Sequence, residues 1–591
     1  MKNLIVILFL NFSIIFMISC NKDINEPVKN NPYFDESEVT VSDGEEFTET
    51  ELGDQLNNPF HIDTMQRALD SLLINFGNQL EATHKYIRFL PETIWQYMAL
   101  LDDSTMDLYD YPFDREIELL GDYYQEPNFD LEDFTWLYTV VPYDKELPDS
   151  IENEELCDLY LPEDSILTFG DTSILADDLI EEAFNIAGYS TEYSMKKAKL
   201  KTTAVKYYPE GYIYVQNTEL GNDKPIKNVK VKCRYWFNLT HTYSNSSGHF
   251  KIFNGYKGKV TINLEFKNSH CAIRGFRENR VWEIADAVDV PVGVFTDNAM
   301  QNVQFTLWNT TYLTTEKKRR WMSANACNSV EEYRNYANSA GIYTPPSNLN
   351  IWLTTKYLPN SSGSACLLKQ IGNTSLLLDV IDMWLWYNAN TADNVFILFK
   401  RIAAQYLPDV TCGYNGYFSN YSDIVTKLFY HELAHTSHYR NAGNNFWVGY
   451  INYIIANNGY GTPSTNGVAK VELSEGWAEF NACYFTHNKY GSSNNALPWK
   501  GYTTWLAYIE DFDPRPGHFP DDMGGLMLDL IDELEPAHSI TDEVDEYTIS
   551  EIFNALQSNI DSPSGFHTLL LSQNSNKQQT EVDDLFSDYG F

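Results

Sequence analysis

His431, Glu432 and His435 stand in the spacing H-E-x-x-H, with Leu433 and Ala434 filling the gap. On an α-helix, side chains four residues apart lie one above the other, with Cβ atoms about 5–6 Å apart. Two imidazoles so placed can share one metal ion. Glu432, turned slightly aside, can reach a water on that ion as a general base without being a ligand. The chemistry is metal-assisted hydrolysis, and it requires a helix. Ser422 stands as an N-cap with Asp423 beside it, and Ile424, Val425, Leu428 and Phe429 recur at helical spacing. No Pro or Gly interrupts before Gly443. The same five-residue pattern also arises by chance on helices whose histidines are surface residues, so a third ligand decides between the two readings.

A metzincin arrangement would need Gly at position 438 and a ligand His at 441; the chain has His438 and Asn441. Downstream, residues 471–480 read as a second helix carrying Glu472, Glu475 and Glu479 along one stripe. Like charges at this spacing cost about 0.2–0.5 kcal/mol per pair unless a cation or donor faces them. The stripe is either a solvated face or one that meets a metal and its histidines.

HELAH followed after 39 intervening residues by EGWAE resembles the gluzincins, the thermolysin-like class of zinc peptidases. The resemblance implies Zn2+ as cofactor, a peptide or protein as substrate, and a zinc-activated water with Glu432 as general base. It implies His431, His435 and Glu475 as metal ligands, with Glu479 orienting a ligand histidine. Glu472 is the alternative ligand. Glu475 is preferred because only it is followed four residues later by an acid, with the small Ala478 suited to close helix packing. The resemblance also implies an edge strand above the site helix that pairs with extended substrate, for which residues 394–399 and 410–413 are the candidates. A helical subdomain is expected to close the cleft and supply an oxyanion-stabilising Tyr or His, with Tyr502, His518 and His538 as candidates. His438, on the face of the ligands, is expected beside them or in solvent.

These helices sit late in a chain of 591 residues, long enough for three or four domains, with 43% hydrophobic and 15% aromatic residues to build cores. The fold class expected is multidomain α+β. A net charge of −41 offers no basis for gripping phosphate backbones, so no nucleic-acid partner is expected. Residues 1–20 read as a signal peptide: Lys2, an apolar run over 4–18 broken by Asn11 and Ser13, then Ser19 and Cys20. Met17-Ile18-Ser19-Cys20 resembles a bacterial lipobox, with Met17 where Leu is favoured, which implies lipidation of Cys20. Asn21-Lys22-Asp23 resembles the export tag of surface lipoproteins, implying a lipid anchor to the outer membrane at the cell surface. Plain cleavage and secretion is the alternative.

Residues 21–58, rich in Asp, Glu, Asn and Pro, read as an acidic linker. An accessory α/β N-terminal domain is expected over 59–202, with Asp63 capping a helix that carries Met65 and Leu69, and strands near 86–90 and 136–141. Its acidic, tyrosine-rich stretches around Tyr109 and Tyr123 read as buried rings with surface hydroxyls rather than sugar platforms. Short alternating runs at 212–215, 229–233, 249–252 and 260–264 predict a β-sandwich over 203–307, which resembles the transthyretin-like domains found beside carboxypeptidases. Residues 308–591 are expected to form a mainly α zincin-type catalytic domain, with a helix near 521–530 and a capping box from Thr548 to Glu551. Setting Cys20 aside from the eight cysteines leaves an odd number, with Cys233 and Cys271 able to bridge within the sandwich and Cys483 expected as a buried apolar residue. Two other readings stand beside the peptidase: a surface binding or adhesion lipoprotein with an inactive zincin-like domain, and a zinc site that is structural or acts on a non-peptide amide.

Overall fold

The computed structural model describes residues 48–591 except 74–76, 78, 131–132, 170, 190–205, 276–280, 311–315, 355–362, 373–403, 414–419, 458, 494–496, 498–500, 511–519, 521 and 532–542. Cys20, His518, His538 and the run 394–399 lie outside the described residues. Helices and several separate sheets together make the chain α+β. No helix among the described residues is long and apolar enough to cross a membrane.

The N-terminal region begins with β1 (Glu51–Gln55), which pairs antiparallel with β3 (Arg115–Leu119). Ordered pairing thus starts inside the stretch expected as linker, because three of β1's residues find partners on β3. Helix α1 (Ile62–Leu72) is capped by His61, whose Nδ1 accepts from the Asp63 amide at 3.2 Å; Asp63 itself lies in the first turn. Strands β2 (His84–Leu90), β4 (Leu137–Pro142) and β5 (Glu152–Leu159) form the antiparallel sheet β4-β2-β5. Helix α2 (Ile94–Asp102) follows β2, the hairpin β6 (Ile166–Phe169) and β7 (Thr172–Leu175) follows β5, and α3 (Ala176–Ile186) completes the region. Every strand pair here is antiparallel, so this region is α+β rather than the α/β expected.

The alternating runs form two sheets. One has the order β11-β10-β13-β15, from β10 (Lys230–Tyr235), β11 (Asn238–Tyr243), β13 (Val260–Glu265) and β15 (Asp289–Phe295). The other joins β8 (Glu210–Val215) to β12 (His249–Lys251) and β16 (Val303–Leu307), with β9 (Lys224–Pro225) on β8. Val231, Cys233, Ile262 and Leu264 share one buried cluster with Ile213 and Val215 of the second sheet, as the period of two requires. The opposite face of β10 carries Lys230, Lys232 and Arg234, which alternation alone would leave in water. Instead the N-terminal region covers them: Lys232 lies 5.2 Å over the Tyr109 ring and Arg234 4.9 Å over Phe113.

One strand leaves the sandwich. β14 (Cys271–Arg274) runs parallel to β17 (Leu349–Thr354) in a sheet of order β14-β17-β19-β18, with β18 (Gly363–Ser364) antiparallel to β19 (Val410–Gly413). The boundary expected at 307/308 is therefore crossed, and the C-terminal region has a mixed sheet beside its helices. All four residues of β14 are buried, the usual state of a strand in a parallel pair. Cys271 and Cys233 lie in different sheets, and both are free thiols.

Helix α4 (Glu316–Ala340) packs against the helix that carries the H-E-x-x-H residues, α6 (Ser422–Asn457). The short α5 (Leu368–Ile371) lies between them in sequence. After α6 come α7 (Ala469–Tyr490), α8 (Trp505–Glu510), α9 (Asp522–Asp529), α10 (Ile549–Ala555), α11 (Pro563–Gln573) and α12 (Gln579–Asp588). The capping box at α10 is present, Thr548 and Glu551 each bonding the other's backbone amide. Ser422 does not cap α6; its Oγ accepts from the Thr218 amide at 3.0 Å and so ties the helix start to the sandwich.

The close approach of α9 to α7 occurs at Gly476 rather than at Ala478. A Cβ on Gly476 would stand 2.9 Å from the Met523 carbonyl carbon and 3.0 Å from the Gly524 nitrogen, so backbone would have to move. Gly476→Ala is expected to destabilise the chain by about 1–3 kcal/mol, read from the midpoint of urea unfolding.

Candidate metal centre

Helices α6 and α7 run antiparallel and face each other through matched stripes. On α6, Lys427, His431 and His435 recur every four residues; on α7 the stripe is Glu475 and Glu479. The Lys427 ammonium donates to Glu479 Oε1, and Glu479 Oε2 lies 3.0 Å from His431 Nδ1. His431 Nε2 lies 3.3 Å from Glu475 Oε2, and His435 Nε2 lies 3.5 Å from Glu475 Oε1. The two Nε2 atoms are 3.2 Å apart. Each cation or imidazole on one helix meets a carboxylate on the other, so the like charges of α7 are compensated across the crossing.

His431, His435 and Glu475 form a buried group, with one ligand atom of each within 4.8 Å of the others, able to hold a metal ion. Four donors at zinc bond lengths of ~2.0–2.1 Å in a tetrahedron stand ~3.3 Å apart. His431 Nε2 stands 3.2 Å from His435 Nε2 and 3.3 Å from Glu475 Oε2, both near that value, so these donors suit such an ion. Among the described residues the group has three members, one fewer than a closed structural site requires. Burial opposes ionisation of Glu475, but His435 and His431 outweigh it and hold the carboxyl well below its usual range. Burial likewise works against Glu479, yet Lys427 and His431 pull it to about 2, so an anion is kept on His431 Nδ1. Glu472 is half-buried and outside the group, and burial raises it. The choice between the two glutamates therefore falls to Glu475.

Glu432 is fully buried and lies under the sheet. A Cβ on Gly363 of β18 would be 2.8 Å from both Cγ and Cδ of Glu432, so the strand backbone rests on this side chain. β18 is the outermost described strand at that end of the sheet. The candidate 410–413 is β19, an inner strand bonded on both sides, which corrects its expectation as the edge.

The other predicted residues are outside the ligand group. His438 is 1% exposed, so it is not solvated; its ring packs 5.0 Å from Phe446 and 5.6 Å from Trp447. Burial, then His435, lowers it to about 3, which keeps it neutral. Tyr502 packs on Tyr508 at 5.6 Å. Cys483 is buried with its Sγ 3.7 Å from Glu479 Oε1.

Two residues that hold the acids of the site were not singled out from sequence. Lys427 was legible, standing four residues before His431 on the same face. Tyr450 was not, because on a straight helix it would lie ~22 Å beyond His435. Gly443, at φ 74°, breaks α6 and turns its second half back. The Tyr450 hydroxyl then donates to Glu475 Oε1, and Trp447 packs edge-on to His435 at 5.6 Å. Tyr450→Phe is expected to weaken metal binding ~10–100-fold, measured by competition with a chromophoric chelator.

No known protein family and no curated protein matches the chain. Among solved structures, a 9R-lipoxygenase from Cyanothece is similar at 11% identity over 26% of this chain and 28% of its own, with a TM-score of 0.10. A likeness of that size carries no argument about fold or chemistry, and the metal centre is read from its own geometry.

Proposed function

We propose that the chain is a zinc-dependent metallopeptidase that hydrolyses peptide bonds of proteins or peptides outside the cytoplasm, anchored at the outer membrane surface through a lipid on Cys20. The observation that carries this reading is the convergence of His431, His435 and Glu475 in one buried group, with Glu432, next to His431 in the chain, buried beneath the backbone of β18. Two imidazoles and a carboxylate are a donor set that suits zinc. Zinc held there would supply a Lewis acid for the substrate carbonyl and lower the pKa of water toward ~7.

The residues of the chain do the rest. An extended peptide laid along β18 presents a carbonyl above Glu432 whatever the flanking side chains. Glu432 takes a proton from the water that attacks the carbonyl carbon. As the C–N bond breaks, Glu432 gives that proton to the departing amine. Glu479, held anionic by Lys427, fixes the His431 ring, and Tyr450 fixes the Glu475 carboxylate.

The strand on Glu432 yields a prediction of its own. Gly363→Ala forces Glu432 out of place and is expected to cost ~10²-fold in hydrolysis with metal content unchanged, as misplacement by an ångström does. Steady-state cleavage and metal analysis on the same preparation check it. The proposal itself is tested by stripping metal with a chelator and adding zinc back. Hydrolysis of a denatured protein should vanish and return; hydrolysis that survives complete stripping excludes the reading.

A further inference from the structure

A second site lies at the opposite edge of the sheet from β18. Where α2, residues 283–289, Gln405 and Tyr406 meet, they line a cavity of about 670 Å³. That volume lies within the range of small-molecule sites. Most charges on its wall satisfy one another: Lys230 lies 2.8 Å from Asp107 and 3.1 Å from Glu265, and Lys232 pairs with Asp289. Four do not.

Arg274, 6% exposed at the end of β14, gives its Nε to Asn350 Oδ1 at 3.1 Å and an NH to the Ala285 carbonyl, with its guanidinium 4.9 Å over the Tyr406 ring. Lys369 gives its ammonium to the Asn348 carbonyl. Among the described residues neither has a carboxylate within ion-pair reach, and burial lowers both, as an uncompensated cation requires. The two are near enough that Arg274 disfavours the charge on Lys369.

Two carboxylates line the same cavity near Arg274, held among the described residues by neutral donors. Asp286 receives the Tyr97 hydroxyl, and Asp102 receives Gln405 Nε2 and, at 2.5 Å, the Tyr406 hydroxyl. Burial pushes Asp286 up to about 7. Arg274 feels the field of both acids without touching either. Buried charges are ordinarily paired, so two cations and two acids that line one cavity without pairing leave room for a partner that carries both charges.

We propose that this cavity binds a small zwitterion of the amino-acid type, a free amino acid or a short peptide, with its carboxylate between Arg274 and Lys369 and its ammonium toward Asp286 and Asp102. The site is separate from the metal centre and stands whether or not that centre is hydrolytic.

The test is calorimetric titration of the full chain, carrying Glu432→Gln so that no probe is consumed, with leucine, with the dipeptide leucyl-glycine and with N-acetyl-leucine amide. Saturable binding of at least one zwitterion is expected, with no heat from the doubly blocked compound. Lys369→Met and Arg274→Gln should each weaken binding tenfold or more. Should Arg274→Gln not fold, judged by its melting curve, the half-buried Lys369 carries the comparison. Absence of binding by both zwitterions, equal binding of the blocked compound, or undiminished binding by Lys369→Met overturns the proposal.

Discussion

Glu432→Gln is expected to abolish peptide hydrolysis and leave the metal content unchanged. The amide has nearly the same shape as the carboxylate, so the fit beneath Gly363 is kept, where a Cβ would already stand 2.8 Å from Cδ. What is lost is the proton acceptor. General-base catalysis contributes ~10²–10⁴-fold, and the variant should fall by at least that factor. Because Glu432 is outside the group of His431, His435 and Glu475, zinc should bind as in the wild type. Cleavage of a quenched fluorescent peptide, with metal analysis on the same sample, measures both. Retained hydrolysis would remove Glu432 from the chemistry.

His431→Ala has the opposite signature and the larger effect on the fold. The imidazole is 3.0 Å from Glu479 Oε2, 3.3 Å from Glu475 Oε2 and 3.2 Å from His435 Nε2, so its removal strips a partner from both acids as well as from the metal. Both metal binding and hydrolysis should be lost. Removing one partner from a buried charge cluster costs about 3–5 kcal/mol, and chemical denaturation with chelator present should show a loss of that size. Lys427 still compensates Glu479, so the greater part of the loss should come from Glu475. A variant with unaltered metal content would show that the ion sits elsewhere.

The two helices of the site could be read from residues because their signals are local. The i, i+4 stripe of Lys427, His431 and His435 and the stripe of Glu475 and Glu479 need only helical periodicity to be seen. The four sandwich runs were legible for the same reason, since alternation marks a half-buried strand. What sequence did not reveal depends on contacts made at a distance. Gly443 read as the end of an uninterrupted stretch, and only the folded chain shows that the break at φ 74° returns Tyr450 to Glu475. β14 lies inside the span of the sandwich, and its four residues carry no mark that they pair with β17, some 78 residues on. β18 has only two residues, too short for any periodicity, yet it covers Glu432. Alternation specifies which face of β10 is apolar, not what covers the other.

The most direct measurement of the central claim is mass spectrometry of a peptide library incubated with the zinc-loaded chain from Asn21 onward. The account predicts new amino and carboxyl termini, appearing only with metal and absent with Glu432→Gln. A library left intact by a preparation holding one zinc per chain would contradict the peptidase reading and leave the His-His-Glu group as a metal site of another kind.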